Sequence, residues 1–272
     1  MAQDVIVIGG GPAGLSAAVN VRARGKSVLV VSNPLEENPL WCAEKVDNYL
    51  GLPGLSGAEL LKALRAHAEA SGAEFREGRV LNAVQMGADW FVSIGSDMEG
   101  AKAVVLAGGV ARAKKFPGEA EYLGKGVSYC ATCDGMLYRN KPVAVVGYSD
   151  SAKKEAEFLT SIGCAVTYFD RPKTCEIAGG TKAERVTCDG RTAEVSCVFL
   201  LRPALAPTDV FPGIEVENGY VKADRSMATN LPGVFAAGDC VGGPLQAMKA
   251  AGEGLAAGQS AAKYVADLMR KQ

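Results

Sequence analysis

Cys130 and Cys133, in Cys130-Ala131-Thr132-Cys133-Asp134-Gly135, stand at a spacing that lets two thiols join and part as a disulfide. Asp134, beside the second sulfur, has the chemistry to hand over a proton during thiol exchange, though an aspartate there would equally suit a turn or a helix cap. A zinc site built on this pair would need two more ligands, and no second close cysteine pair exists, so no metal is expected. Upstream, Gly9-x-Gly11-x-x-Gly14 follows the apolar run Asp4–Ile8 and opens an Ala-rich segment. Glycines in that order permit a tight turn, backbone approach to a pyrophosphate, and close packing of helix on strand. Downstream, Gly233-Val-Phe-Ala-Ala-Gly238-Asp239 places an acid after a strand-like run and before a long helical segment. Asp239 there can accept a hydrogen bond from a ribityl hydroxyl, or merely cap a helix. A bound dinucleotide paired with a redox dithiol reads as a device for moving two electrons to a disulfide.

These groups need a frame. Val5-Ile-Val-Ile-Gly9-Gly-Gly11-Pro-Ala-Gly14 reappears, weakly, as Val143-Ala-Val-Val-Gly147-Tyr-Ser149-Asp-Ser-Ala152, and the same offset brings Gly25 onto Gly163. Behind each copy comes a second apolar run, Ser27–Val31 and Ala165–Phe169. Two βαβ starts imply an α/β chain with two dinucleotide-binding, Rossmann-like domains. Between the copies, Val80–Met86, Trp90–Ile94 and Ala103–Ala107 read as strands. After the second copy, Glu194–Leu201 reads as one strand and Gln246–Arg270 as a closing helix that returns to the first domain. The second domain is then a shortened insertion, 116–206, within a first domain of 1–115 plus 207–272.

The 272 residues carry a net charge of −1, which points to no nucleic-acid partner and no anionic membrane. The strand-like start leaves no room for a leader, and no apolar run reaches the ~18 residues of a membrane span. Of eight cysteines only Cys130 and Cys133 are meaningfully spaced, which fits a reducing cytoplasm and a single redox centre. The one histidine, His67, falls on the surface of a helix expected over Gly57–Ser71, so Ser-His-Asp or Cys-His catalysis is not expected.

Taken together, these stretches resemble the low-molecular-weight thioredoxin reductases. The match runs through Val5–Gly14, Lys45-Val-Asp-Asn48, Cys130–Gly135 with Tyr138-Arg-Asn140, Glu217-Asn-Gly-Tyr220, Gly233–Asp239, and Gln246-Ala247 with the Ala/Gly-rich helix behind them. The resemblance implies FAD in the first domain, held by Gly9, Gly11, Ala13, Gly14, Gly238, Asp239, Gln246 and Ala247. It also implies Asn48 beside the flavin ring and the Val80 backbone at the adenine. By the same resemblance Cys133 faces the flavin, Cys130 attacks the disulfide of thioredoxin or a similar protein, and the chain forms a homodimer.

The departures lie in the second domain. Gly147-Tyr148-Ser149 stands where the family has a fully glycine-rich turn, and a side chain at Ser149 crowds a pyrophosphate. Asp170-Arg171-Pro172-Lys173 replaces a basic cluster, and Asp170 favours a free 2′-OH over a 2′-phosphate. Arg202-Pro203 replaces a small Gly-containing turn. Gly147, Ser149 and Asp170 would meet any second nucleotide, whether NAD(P)H, a second FAD or nothing. The expected donor is therefore ferredoxin or another non-pyridine reductant. The rival readings are an NAD(P)H-dependent thioredoxin reductase, a flavin dithiol oxidase, and a non-catalytic flavin-binding redox sensor.

Overall fold

A strand whose residues are apolar on both faces is stable only between two covering layers. Such a strand, β1 (Gln3–Ile8), is followed by α1 (Pro12–Arg22) and by β2 (Val28–Ser32), parallel to β1. The computed structural model of the chain describes residues 3–110, 115–202 and 205–270. Helix α2 (Gly57–Ala70) starts on a capping box between Ser56 and Glu59 and carries His67 on its exposed face. Strands β3 (Glu74–Glu77), β4 (Val80–Met86), β5 (Asp89–Ile94) and β6 (Asp97–Leu106) follow.

Next come α3 (Glu119–Tyr122), β7 (Val127–Ser128), α4 (Ala131–Asp134), β8 (Pro142–Gly147), α5 (Ser151–Ser161) and β9 (Ala165–Asp170). Then run β10 (Cys175–Gly179), β11 (Ala183–Cys188), β12 (Arg191–Glu194) and β13 (Cys197–Leu201). The two repeat copies keep their likeness: α1 and α5 both have 11 residues, and Gly25 (φ 70°) and Gly163 (φ 93°) both adopt left-handed backbone. The four strands β7-β13-β8-β9 make a parallel sheet, and β10-β11-β12 an antiparallel meander. The single strand expected over Glu194–Leu201 is in fact two. At Val195 and Ser196 the backbone changes partner, from Glu184 O to Pro142 O, and so passes from one sheet to the other. An apolar run does not reveal a change of neighbour. The β11–β12 turn is Asp189-Gly190, with φ of 47° and 82°, the left-handed pair of a type I′ hairpin.

The chain ends with α6 (Pro207–Val210), β14 (Val216–Glu217), β15 (Tyr220–Val221), β16 (Val234–Ala236) and α7 (Ala247–Met269). Two compact units result, one of residues 1–111 and 204–272, the other of 112–203. In the first, the sheet order is β3-β2-β1-β6-β5-β4. One edge of β6 pairs with β1; along the other, β5 takes Asp97–Ala101 and β16 takes Val104–Leu106. Side chains alternate between two cores: Val5, Val7, Val28 and Val30 on the face of α1 and α7, Ile6, Ile8, Leu29 and Val31 on the other. Each such residue contributes about 1.5–3 kcal/mol by burial. None of the helices in the described residues is long and apolar enough to cross a membrane.

Candidate functional site

In the first unit, Gly9 turns the chain at the end of β1 with φ 118°, and the Ala107 carbonyl fills the space a side chain would need. Gly14 lies so close to the Gly9 carbonyl that any Cβ would overlap it. Gly11 is the N-cap of α1 and offers no side-chain cap, and Pro12 has no N–H. The amides of Ala13 and Gly14 therefore open the helix without a side-chain acceptor, the condition in which a helix start receives a phosphate. Ala13 in turn leaves Gly238 (φ 86°) no room for a Cβ, and Gly254 and Gly258 bring α7 onto the Ala13 and Ala17 carbonyls. The helix start and the Gly238-Asp239 turn thus pack together.

Asp239 keeps a buried carboxylate oxygen there. Two residues missed in the sequence hold this turn: Lys249 Nζ donates to Gly238 O (3.0 Å) and pairs with Glu253 (2.9 Å), whose Oε2 accepts the Gly238 N–H (2.9 Å). Their i,i+4 spacing is a signal the sequence does carry. Asn48 Nδ2 donates to Gln246 Oε1 (2.8 Å), and Gln246 is the N-cap of α7, with Ala247 its first residue. The Gly78 N–H donates to Ser32 O (2.9 Å), so the chain enters β4 at Val80 beside the end of β2. Ser32, where an acid would hold a ribose, lies against Gly10.

In the second unit, Cys130 and Cys133 are joined as a disulfide, with Cα atoms 5.4 Å apart. Cys130 is the N-cap of α4; its sulfur accepts the Cys133 N–H (3.1 Å) and meets Thr132 Oγ1 at 3.4 Å. Contacts of this kind stabilise negative charge on the sulfur. Ser128 is the residue that sequence reasoning did not find. Its buried Oγ accepts the Cys130 N–H (3.1 Å) and donates to Asp134 Oδ2 (2.7 Å), tying the carboxylate to the redox segment. Ser128→Ala is expected to slow thiol exchange about tenfold, while Ser128→Thr, which keeps the hydroxyl, restores the rate. Stopped-flow rates between pH 5 and 9 check this. Behind the pair, burial pushes both Cys197 and the Tyr138 hydroxyl it bonds up to about 12, so both stay neutral.

Open parallel sheets bind ligands beyond the carboxyl ends of their strands. In this unit the end of β13 is filled. Arg202, directly after β13, forms a two-pronged pair with Glu119 at 2.5 and 2.8 Å, and both residues are buried. Glu119 also accepts from Tyr129 OH (2.9 Å) and the Phe116 N–H (2.8 Å). The Arg202 guanidinium lies 5.0 Å from the Phe116 ring and 6.0 Å from that of Tyr148, which follows Gly147. Ser149 is buried, with its Oγ 2.8 Å from Ser151 Oγ, and Asp170 is exposed at the end of β9. Pro203 lies outside the described residues.

Burial works to raise the Glu119 carboxyl, but the bonds from Arg202 and Phe116 outweigh it and hold the carboxyl below the usual glutamate range. A lowered carboxylate lends stability above its unfolded value near 4.3. That stability drains away as pH falls from there through the folded value. Arg202→Met strands a buried carboxylate, and is expected to lower the melting temperature by several degrees at pH 7 and by much less at pH 3. Thermal melts at the two pH values check this.

The expectation that only Cys130 and Cys133 are spaced to pair needs correction. Cys175 and Cys188 form a second disulfide, with Cα atoms 4.2 Å apart. Thirteen residues separate them in sequence, a spacing that says nothing until β10 and β11 pair and set the two directly opposite. Cys42 is a free, exposed thiol, and Cys164, Cys197 and Cys240 are free and buried.

The sequence matches the family described as pyridine nucleotide-disulphide oxidoreductase over residues 3–186 and 171–254. A thioredoxin reductase of Aquifex aeolicus is 34% identical over 301 aligned positions, covering 96% of this chain and 93% of the relative. That alignment is longer than the 272 residues of this chain, so the relative carries residues that this chain lacks. Two crystal structures of a ferredoxin-flavin thioredoxin reductase from Clostridium acetobutylicum superpose with TM-scores of 0.94 and 0.84, at 33% and 37% identity. Each covers 99% of both chains.

Proposed function

The chain belongs to the pyridine nucleotide-disulphide oxidoreductases, as a thioredoxin reductase-like flavoprotein enzyme, and on that premise we propose that it reduces thioredoxin or a similar protein disulfide with electrons from a ferredoxin-like donor. The observation that carries the donor reading is the buried Arg202–Glu119 pair lying across the end of the parallel sheet where a pyridine nucleotide would need to enter.

The first unit fits the FAD that the family implies. Gly9, Gly14 and Gly238 leave no space for a side chain, and the starts of α1 and α7 carry no side-chain cap. Gly11, Ala13 and Gly14 would hold the pyrophosphate, Asp239 the ribityl chain, Asn48, Gln246 and Ala247 the ring, and the Val80 backbone the adenine. When bound, the flavin supplies the pair of electrons that opens the Cys130–Cys133 disulfide.

From there the chain's own residues do the work. The Cys130 thiolate, favoured by the Cys133 N–H at its sulfur, attacks one sulfur of the partner disulfide. A mixed disulfide forms, and the partner's other sulfur leaves as a thiolate. Asp134, which accepts from Ser128, relays the Cys133 thiol proton to this thiolate, and water supplies the proton for the partner's second sulfur. Cys133 then attacks Cys130, which restores the enzyme disulfide and releases the partner as a dithiol. Two electrons have passed from enzyme to partner.

The test separates chemistry from donor. Protein loaded with FAD, reduced with dithionite and freed of excess reductant, is expected to give about two thioredoxin dithiols per chain, one from its own dithiol and one from the reduced flavin, counted by alkylation and mass. No thioredoxin reduction from enzyme whose own dithiol is present would defeat the reading.

A further inference from the structure

The Cys175–Cys188 pair lies outside the chemistry described so far. The two residues face each other across β10 and β11, at a position where the strands come closest. Thr174 and Asp189 next to them are hydrogen-bonded across the ladder (3.1 Å), which makes the cysteines the narrow, non-hydrogen-bonded pair. Cys175 is 5% exposed and Cys188 1%; Cys130 is as buried as Cys175, but its partner Cys133 is half-buried, so of the two pairs only Cys130–Cys133 offers a sulfur to solvent. Asp189 closes the same end of the hairpin by accepting from the Lys173 N–H (3.0 Å), the Thr174 N–H (2.8 Å) and Thr174 Oγ1 (2.9 Å).

Strand β10 then carries the constraint onward. The Ile177 N–H donates to Pro117 O (3.0 Å), Gly118 packs so tightly on the Ile177 carbonyl that no Cβ would fit, and Tyr122 OH donates to Gly179 O (2.9 Å). Glu119, which grips Arg202, sits within this strapped segment.

We infer that Cys175–Cys188 is a second, permanent disulfide, closed to the thiol exchange that cycles Cys130–Cys133, which latches β10 and with it the segment that keeps Arg202 paired. The inference rests on thiol–disulfide turnover at Cys130–Cys133 only for the contrast between the pairs. Its formation breaks two S–H bonds and makes one S–S bond; two electrons and two protons go to an acceptor disulfide, which becomes a dithiol. Reversal needs a thiolate to approach one sulfur in line, and neither sulfur is open to that approach until the hairpin unfolds locally.

Cysteines alkylated in denaturant and counted by mass test the covalent half. Untreated protein is expected to take four labels, on Cys42, Cys164, Cys197 and Cys240. Brief native treatment with dithiothreitol is expected to raise this to six, and reduction after denaturation to eight. Labels mapped to Cys175 or Cys188 before any reductant, or eight labels after the brief native treatment, would overturn the proposal. Four labels after that treatment would leave the latch standing and count instead against a cycling Cys130–Cys133.

The latch half is read by hydrogen exchange in the Cys175→Val/Cys188→Val double variant, whose apolar side chains keep the core filled. The Ile177 and Tyr122 amides are expected to exchange at least tenfold faster, with Val145 unchanged. Equal exchange at Ile177 in variant and wild type would show that the disulfide latches nothing.

Discussion

Micromolar NADPH is expected to leave the flavin oxidised for minutes, while a reduced ferredoxin bleaches it within the mixing time of a stopped-flow experiment. Three obstacles add up in the second unit. Ser149 is buried in the turn after β8, Asp170 places negative charge at the end of β9, and Arg202 is already neutralised by Glu119. Each lost charge-assisted contact to a phosphate removes on the order of 1.5–3 kcal/mol, about tenfold or more in affinity. Two such losses put binding beyond micromolar reach. NADH, with no 2′-phosphate to meet Asp170, is the less disfavoured nucleotide and the better control. Rapid bleaching by NADPH would return the chain to ordinary pyridine-nucleotide chemistry. Bleaching by neither nucleotide nor ferredoxin would exclude the iron–sulfur donor.

Replacing the two active sulfurs one at a time is expected to give unequal proteins. Cys133→Ser stops electron flow from flavin to dithiol, and thioredoxin reduction falls by three orders of magnitude or more, on the order of what removing a nucleophile costs. Cys130→Ser is expected to be equally inactive but, on the proposed assignment of roles, to show a long-wavelength absorption band from a Cys133 thiolate and the flavin. Cys130, at the N-cap of α4 with an amide at its sulfur, is the better placed of the two to wait as a nucleophile. The band in the Cys133 variant alone would reverse the assignment.

What the sequence disclosed follows from how local each signal is. The turn at Gly9 and the repeat at Gly147 were legible because strand, turn and helix are adjacent in the chain. Asp189-Gly190 was equally local, and its two left-handed residues mark a hairpin that the reading passed over. Ser128 lies two residues before Cys130, yet nothing in its type says that its hydroxyl turns towards Asp134. Glu119 and Arg202 are 83 residues apart, and only the meeting of α3 with the end of β13 makes them a pair. Arg202-Pro203 could be seen as foreign to a nucleotide turn, but its partner could not.

The return of residues 204–272 to the first unit governs the order in which that unit is completed during synthesis. The second unit is continuous and can close as soon as Arg202 has emerged. The first cannot. From Val104 onward, β6 waits with one edge bare until β16 is made, roughly 6 to 25 seconds later at about 5–20 residues per second. Through that interval α1 lacks α7, and Ala13 and Ala17 have no Gly254 and Gly258 against them. The nascent first unit therefore exposes, through that interval, apolar surface that the finished fold buries. A cofactor held as proposed would be captured last, because Gly238, Asp239, Gln246 and Ala247 are the last of its groups to arrive.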